Sequence, residues 1–199
     1  MAALAALMHI STSKEASVVL SKDGLKLEKC SFALKNDHKI VLIAVRQNSA
    51  SLRHAGLCLR GDQAFMCAAI KINPSAFRWA TVELQGIESF TNEAVASRGI
   101  MLEHATTELR NSPKTVCAAV SNYGRALQYA SESMRDDPVI VKCAISRDCL
   151  ALEFASSRLQ NDKDIVQYAL DTNKKRPYKQ LPTSEILEFA SPRVKKQLS

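Results

Sequence analysis

The chain has 199 residues, 46% of them apolar, with only six glycines and six prolines, a composition that supports a packed core and excludes collagen-like and low-complexity chains. Its formal charge is +7, yet residues 174–199 hold seven Lys or Arg against two Glu, so +5 lies there and +2 is left for the other 173 residues. That is a nearly neutral body with a basic end, and no apolar run reaches the roughly 18 residues of a membrane-spanning helix.

The dominant pattern is self-similarity at a spacing of 25 residues. Leu34, Leu59, Leu84, Leu109, Met134 and Leu159 form one column, and Ala44, Ala69, Ala94, Ala119, Ala144 and Ala169 a second. Ala55, Ala80, Ala105, Ala130 and Ala155 form a third. A fixed period of this length predicts stacked repeats, each of which buries its apolar face only against its neighbours. The fold expected is all-α, an α-solenoid of short helix pairs forming a single domain over residues 1–199. An N-terminal cap is expected over about 1–35, regular repeats over 36–160, and a C-terminal cap over about 161–199.

In chain order, Met1–Met8 is apolar but lacks a basic n-region and is too short for a signal peptide, so it reads as the first turns of a capping helix. Residues 11–35 keep the phase weakly, with a cap at Ser11-Thr12-Ser13 and a turn at Asp23-Gly24. The first full unit places Ile40, Val41, Ala44 and Val45 on one stripe and Leu52, Ala55 and Leu59 on another, both at helical spacing. The sharp breaks read Leu59-Arg60-Gly61-Asp62, Leu109-Arg110-Asn111-Ser112-Pro113 and Met134-Arg135-Asp136-Asp137-Pro138. A basic residue suits the helix end, Asn or Gly next suits a left-handed stop, and Asp or Ser caps the next helix. A softer break recurs at Asn48-Ser49, Asn73-Pro74, Arg98-Gly99 and Tyr123-Gly124. Each unit is therefore expected to be a helix of about ten residues followed by one of about eight to ten. The unit at 86–110 departs most, with Ile87 in place of the capping acid and Thr91, Asn92 and Glu93 on its first helix. Near the end, Leu187 to Val194 nearly copies Leu152 to Leu159 at a separation of 35, so ten residues are inserted. The insertion carries two prolines and four cations and is expected to be a loop over 174–183.

The segments LKND (34–37), AVRQN (44–48), ALQYASESMRDDP (126–138), LEFASSRLQND (152–162) and DKDIVQYAL (162–170) resemble the short repeats of the domain-of-unknown-function family 4116, over about residues 31–173. The resemblance implies a repeat array of the kind found in intracellular bacteria and protists, some members being similar to secreted effectors. It implies no activity, because the family has no catalytic motif to carry over.

Residues that could carry chemistry read as structural. His54 and His104 share a column with Trp79, Tyr129 and Phe154, and a catalytic base is not interchangeable with phenylalanine. The acids Asp37, Asp62, Asp137 and Asp162 offer one carboxylate per layer, which cannot converge on one ion. Six cysteines show no zinc spacing and fall in columns of small or apolar residues, as reduced thiols in a reducing compartment would. No enzyme, metal or cofactor is expected. The function expected is a non-catalytic protein-interaction module, on the resemblance a host-directed effector of an intracellular microbe. The alternative is binding of nucleic acid or anionic lipid through the basic end and through the ladder Lys35, Arg60, Arg110 and Arg135, interrupted by Gln85 and Gln160. Contact residues are expected where the pattern breaks: Asn92 and Glu93, and Lys174, Lys175, Arg176, Tyr178 and Lys179 of the insertion.

Overall fold

The computed structural model describes residues 10–175 and 181–198. The expected capping helix at Met1–Met8, and Arg176, Tyr178 and Lys179 of the expected loop, lie outside the described residues. Among the described residues the chain is all-helical, with one isolated bridge between Ile10 and Cys30 and no strand. It divides into two compact units, residues 1–90 and 91–199.

The first unit opens with α1 (Ser13–Leu20), capped by Thr12, whose Oγ1 accepts from the Glu15 N–H at 3.3 Å. A 3₁₀ helix (Gly24–Lys29) leads into the one-turn helix α2 (Phe32–Lys35) and then the long α3 (His38–Gln47). The same succession follows with 3₁₀ helix Ser49–His54, α4 (Leu57–Gly61) and α5 (Gln63–Ile72). After it come 3₁₀ helix Pro74–Trp79, α6 (Val82–Gln85) and the first turn of α7 (Glu88–Ser97). The second unit takes up the rest of α7, 3₁₀ helix Gly99–His104, α8 (Thr107–Arg110) and α9 (Pro113–Asn122). It continues with 3₁₀ helix Gly124–Tyr129, α10 (Glu132–Arg135), α11 (Pro138–Arg147), 3₁₀ helix Cys149–Phe154, α12 (Ser157–Gln160) and α13 (Lys163–Lys174). It ends with α14 (Thr183–Leu187) and α15 (Pro192–Leu198).

The long helices start where the expected acids and serine stand. Asp37 Oδ1 accepts from the N–H groups of Lys39 and Ile40 at 2.9 and 3.0 Å, and Asp162 Oδ1 from those of Asp164 and Ile165 at 2.9 and 3.1 Å. Asp62, Ser112 and Asp137 cap α5, α9 and α11 in the same way. These bonds satisfy amides that a helix start leaves unpaired, each worth about 1 kcal/mol. Three expectations need correction. Asn111, and Asn36 and Asn161 at the matching places, do not stop their helices in the left-handed conformation; φ is −102°, −109° and −98° with ψ of 2° to 3°, a negative-φ backbone that does not call for Gly or Asn.

The second correction concerns the second helix of each expected pair, which is a 3₁₀ helix, an extended residue and a separate single α-turn. The burial follows a period of three: Ser49, Leu52 and Ala55 are buried, as are Gly124, Leu127 and Ala130. Side chains three apart eclipse in a 3₁₀ helix, whose own period is three. The alanine column at 55, 80, 105, 130 and 155 thus lies at the end of each 3₁₀ helix in extended backbone, φ −71° and ψ 154° at Ala55. There the following amide leaves its local partners. Gly56 N–H donates to Lys35 C=O at 3.0 Å and Thr81 N–H to Arg60 C=O at 3.0 Å. In the second unit Ser131 and Ser156 donate to Arg110 and Arg135 at 2.9 and 2.8 Å. Each bond joins one single-turn helix to the previous one, so the break gains a tie between layers. Third, α13 runs on to Lys174 and α14 starts at Thr183, so both ends of the expected loop are helical.

The other alanine column is the core. Ala44, Ala69, Ala94, Ala119, Ala144 and Ala169 are all fully buried, as are Leu52, Leu102, Leu127 and Leu152 of the 3₁₀ helices. In the second unit backbone approaches backbone at one of these places: a Cβ on Gly124 would stand 2.6 Å from Ala144 O. Two core positions are polar misfits. Thr115 stands in the column of Ile40, Phe65, Phe90, Ile140 and Ile165, and Ser51 in that of Ala76, Ala126 and Ala151. Both hydroxyls are buried without a hydrogen-bond partner. A buried unpaired hydroxyl costs on the order of 1–3 kcal/mol, and an apolar group of the same shape does not. Thr115→Val and Ser51→Ala are each expected to raise stability by about 1 kcal/mol, read as a higher urea midpoint at unchanged slope; a lower midpoint in both would show that the hydroxyls are held.

Candidate functional site

The single-turn helices of the first unit carry an exposed apolar stripe. Each helix starts after Ser31, Gly56 or Thr81, and its third residue, Leu34, Leu59 or Leu84, is buried. Two residues of α-helix span about 200°, so the first residue must point the opposite way. Those first residues are Phe32, Leu57 and Val82, exposed by 83%, 68% and 68%. They stand one layer apart, because Gly56 and Thr81 hydrogen-bond back to Lys35 and Arg60. At the corresponding places of the second unit stand Thr107, Glu132 and Ser157, all exposed and all polar. The first unit thus repeats an exposed apolar residue at the same place in its three single-turn helices.

Lys35 and Arg60 of the basic ladder share that face. They are three residues after Phe32 and Leu57, which puts them on the same side of the turn, half-buried. The column's purpose is legible at the glutamines: Gln85 Nε2 donates to Phe77 C=O at 3.1 Å, and Gln160 Nε2 to Leu152 and Glu153 C=O at 3.2 and 2.8 Å. Those carbonyls end the 3₁₀ helices, where positive charge is favoured. The Nε atoms of Arg60, Arg110 and Arg135 are buried with no hydrogen-bond partner among the described residues.

The ring column His54, Trp79, His104, Tyr129 and Phe154 closes each 3₁₀ helix and is half-buried throughout, a rim rather than a core. Burial, and then the neighbouring Arg53, hold the His54 imidazole below its ordinary pKa; it accepts from Arg53 Nε at 2.8 Å. In the second unit polar bridges tie successive layers: Arg125 Nε to Asp148 Oδ2 at 2.9 Å, and Arg158 to Asp136 at 3.0 Å. The Ser156 hydroxyl also donates to Asp136, and it and Arg158 keep that carboxyl below the usual range. All six cysteines are free thiols. Among the described residues no group of three or more His, Cys, Asp or Glu stands where it could hold a metal ion, and no helix is long and apolar enough to cross a membrane. In the first unit an open groove of about 440 Å³ lies over Leu42, Ile43 and Ile72, edged by Lys39 and Arg46.

The residues singled out for pattern breaks lie in different surroundings. Thr91 is fully buried, Asn92 is half-buried with its Oδ1 lacking a partner, and Glu93 is exposed on α7. Lys174, the last residue of α13, lies 3.6 Å from Asp171, and Lys175 follows as the exposed helix stop. Arg176, Tyr178 and Lys179 are outside the described residues. The stripe itself escaped the sequence reading, although one signal was there: column 32, 57, 82 is apolar in three successive units and polar in the next three.

No curated protein and no solved structure matches the chain. A family model does, over residues 18–60, 88–135 and 140–195, and its description is "Domain of unknown function (DUF4116)". The matched segments take in the pattern-breaking helix α7 and leave out residues 61–87. Since they cover most of its length, the chain belongs to the DUF4116 family.

Proposed function

We propose that this chain is an α-solenoid of 25-residue units that works without catalysis as a protein-interaction module, and that Phe32, Leu57 and Val82 are its docking stripe. The starts of the six long helices, at 38, 63, 88, 113, 138 and 163, support the repeat reading. The exposed stripe carries the functional one. With Lys35 and Arg60 on its flank, it suits an amphipathic helix of a partner protein, apolar on one side and acidic along the edge. The free thiols favour a reducing setting, a host cell's cytosol included. Glu93 and the basic pair Lys174-Lys175 are secondary contacts in this reading.

Two measurements test it. The full chain and its Phe32→Ser/Leu57→Thr/Val82→Ser variant serve as baits in parallel captures from a host-cell lysate, with mass spectrometry as readout. A partner recovered by the parent and lost by the variant supports the stripe; equal recovery by both overturns it. The rival polyanion reading rests on the basic end. We expect the parent to leave a heparin column near physiological salt, and replacement of Lys174, Lys175, Arg176 and Lys179 by alanine to change this little. Strong retention with a steep salt dependence, abolished in the quadruple variant, would instead favour nucleic acid or anionic lipid.

A further inference from the structure

Two thiols 26 residues apart in sequence meet across neighbouring helices. Cys117 on α9 and Cys143 on α11 have their sulfur atoms 3.8 Å apart, and Ser121 Oγ stands 3.2 Å from the Cys143 sulfur. Both cysteines are half-buried, so solvent reaches them, and α9 packs directly on α11. A disulfide needs its sulfurs at about 2.05 Å, so the gap to close is under about 2 Å, the scale of a side-chain rotation with a small shift of the helices. Of the remaining thiols Cys30 and Cys149 are buried, Cys58 is exposed, and Cys67 is half-buried like the pair.

We propose that Cys117 and Cys143 form a thiol–disulfide exchange site, which a small-molecule disulfide of the glutathione type closes into a covalent bond between α9 and α11. In the first step the thiolate of one cysteine attacks a sulfur of the small disulfide. That S–S bond breaks, a protein–small-molecule mixed disulfide forms, and one small thiol leaves carrying a proton. In the second step the neighbouring thiolate attacks the protein-side sulfur, and the second small thiol leaves with the other proton. Two protein thiols are oxidised by two electrons and one small disulfide is reduced to two thiols. The second step is favoured because the attacking sulfur is already in place, whereas a second small molecule must diffuse in. Burial, and then the hydrogen bond to Cys143, hold the Cys117 thiol above its ordinary pKa, so the exchange quickens as pH rises. The bond would add a covalent link to the packing of α9 on α11, so their local opening becomes coupled. This site stands independently of the docking stripe in the other unit.

The test uses the full chain equilibrated with mixtures of oxidised and reduced glutathione, quenched in acid, alkylated and digested with trypsin. Cleavage after Lys114, Arg125, Lys142 and Arg147 yields peptides 115–125 and 143–147. We expect these two joined by a disulfide to be at least about tenfold more abundant than any other linked pair, and to separate on reduction. In Cys117→Ser, an isosteric change, Cys143 should carry glutathione and the joined peptides should vanish. Native chain with both cysteines separately glutathionylated would overturn the proposal. So would a yield of the joined pair no higher in the folded chain than in urea, since the fold would then not be bringing the sulfurs together.

Discussion

Replacing Gly124 by valine is expected to lower the unfolding free energy by about 3 kcal/mol, while Gly61→Ala leaves it unchanged or raises it by under about 1 kcal/mol. Neither glycine has a positive φ, so the difference is one of space. A Cβ on Gly124 would meet Ala144 O at 2.6 Å and the Cβ and N of Asp148 at 3.0 Å. None of these atoms can swing aside, because Ala144 O is held by the Asp148 amide at 2.9 Å where α11 ends. The layers must part instead, and every buried contact along α11 loosens with them. Ser49 and Cys149 occupy the same place in other layers, so an unbranched side chain is the mildest intrusion and the branched valine the worst. At Gly61 an added Cβ would find only Thr81 side-chain atoms, at 3.6 and 3.7 Å, an ordinary contact. There alanine restricts the unfolded chain at no steric cost. Urea unfolding followed by circular dichroism reads both; equal midpoints for the two variants would show that the layers are not set by this approach.

Much of the architecture was legible because backbone needs recur in the sequence. The acids at 37, 62, 137 and 162 marked long-helix starts, since an unpaired first-turn amide needs an acceptor at that place. The single-turn helices were missed although Ser31, Ser131 and Ser156 are caps of the same kind, bonding to Leu34, Met134 and Leu159. The alanine before all but the first of them, which follows Cys30, blended into an apparent α stripe, because positions 52, 55 and 59 fit a period of 3.6 as readily as a period of three followed by a break. Four-residue helices also carry too few positions to show a periodicity of their own, which hid Phe32, Leu57 and Val82. The thiol pair was hidden differently. Cys117 and Cys143 lie in different columns, and only the packing of α9 on α11 brings residues one period and one step apart into contact.

Phe32→Ala, Leu57→Ala and Val82→Ala are expected to leave folding stability within about 0.5 kcal/mol of the parent, since each side chain is already largely in water in the free protein. Their effect should fall on the complex. Burying such a side chain fully contributes on the order of 1.5–3 kcal/mol. Phe32 is the largest and the most exposed, at 83%, so it has most surface to lose to a partner. About 2 kcal/mol of that is a loss of roughly thirtyfold in affinity. Leu57 and Val82, each 68% exposed, should cost less in that order, and aromatic anchors commonly dominate such interfaces. Charge reversal at Lys35, on the same face as Phe32, should chiefly slow association and add salt sensitivity, because a flanking charge steers more than it holds. Titration calorimetry with the captured partner gives the ranking, and chemical unfolding of the free variants gives the control. If stability falls by more than about 1 kcal/mol while affinity holds, these residues belong to the fold and the docking surface lies elsewhere. If affinity falls in the order Phe32, Leu57, Val82 with stability intact, the stripe is the contact, and the polar residues Thr107, Glu132 and Ser157 explain why the second unit does not share it.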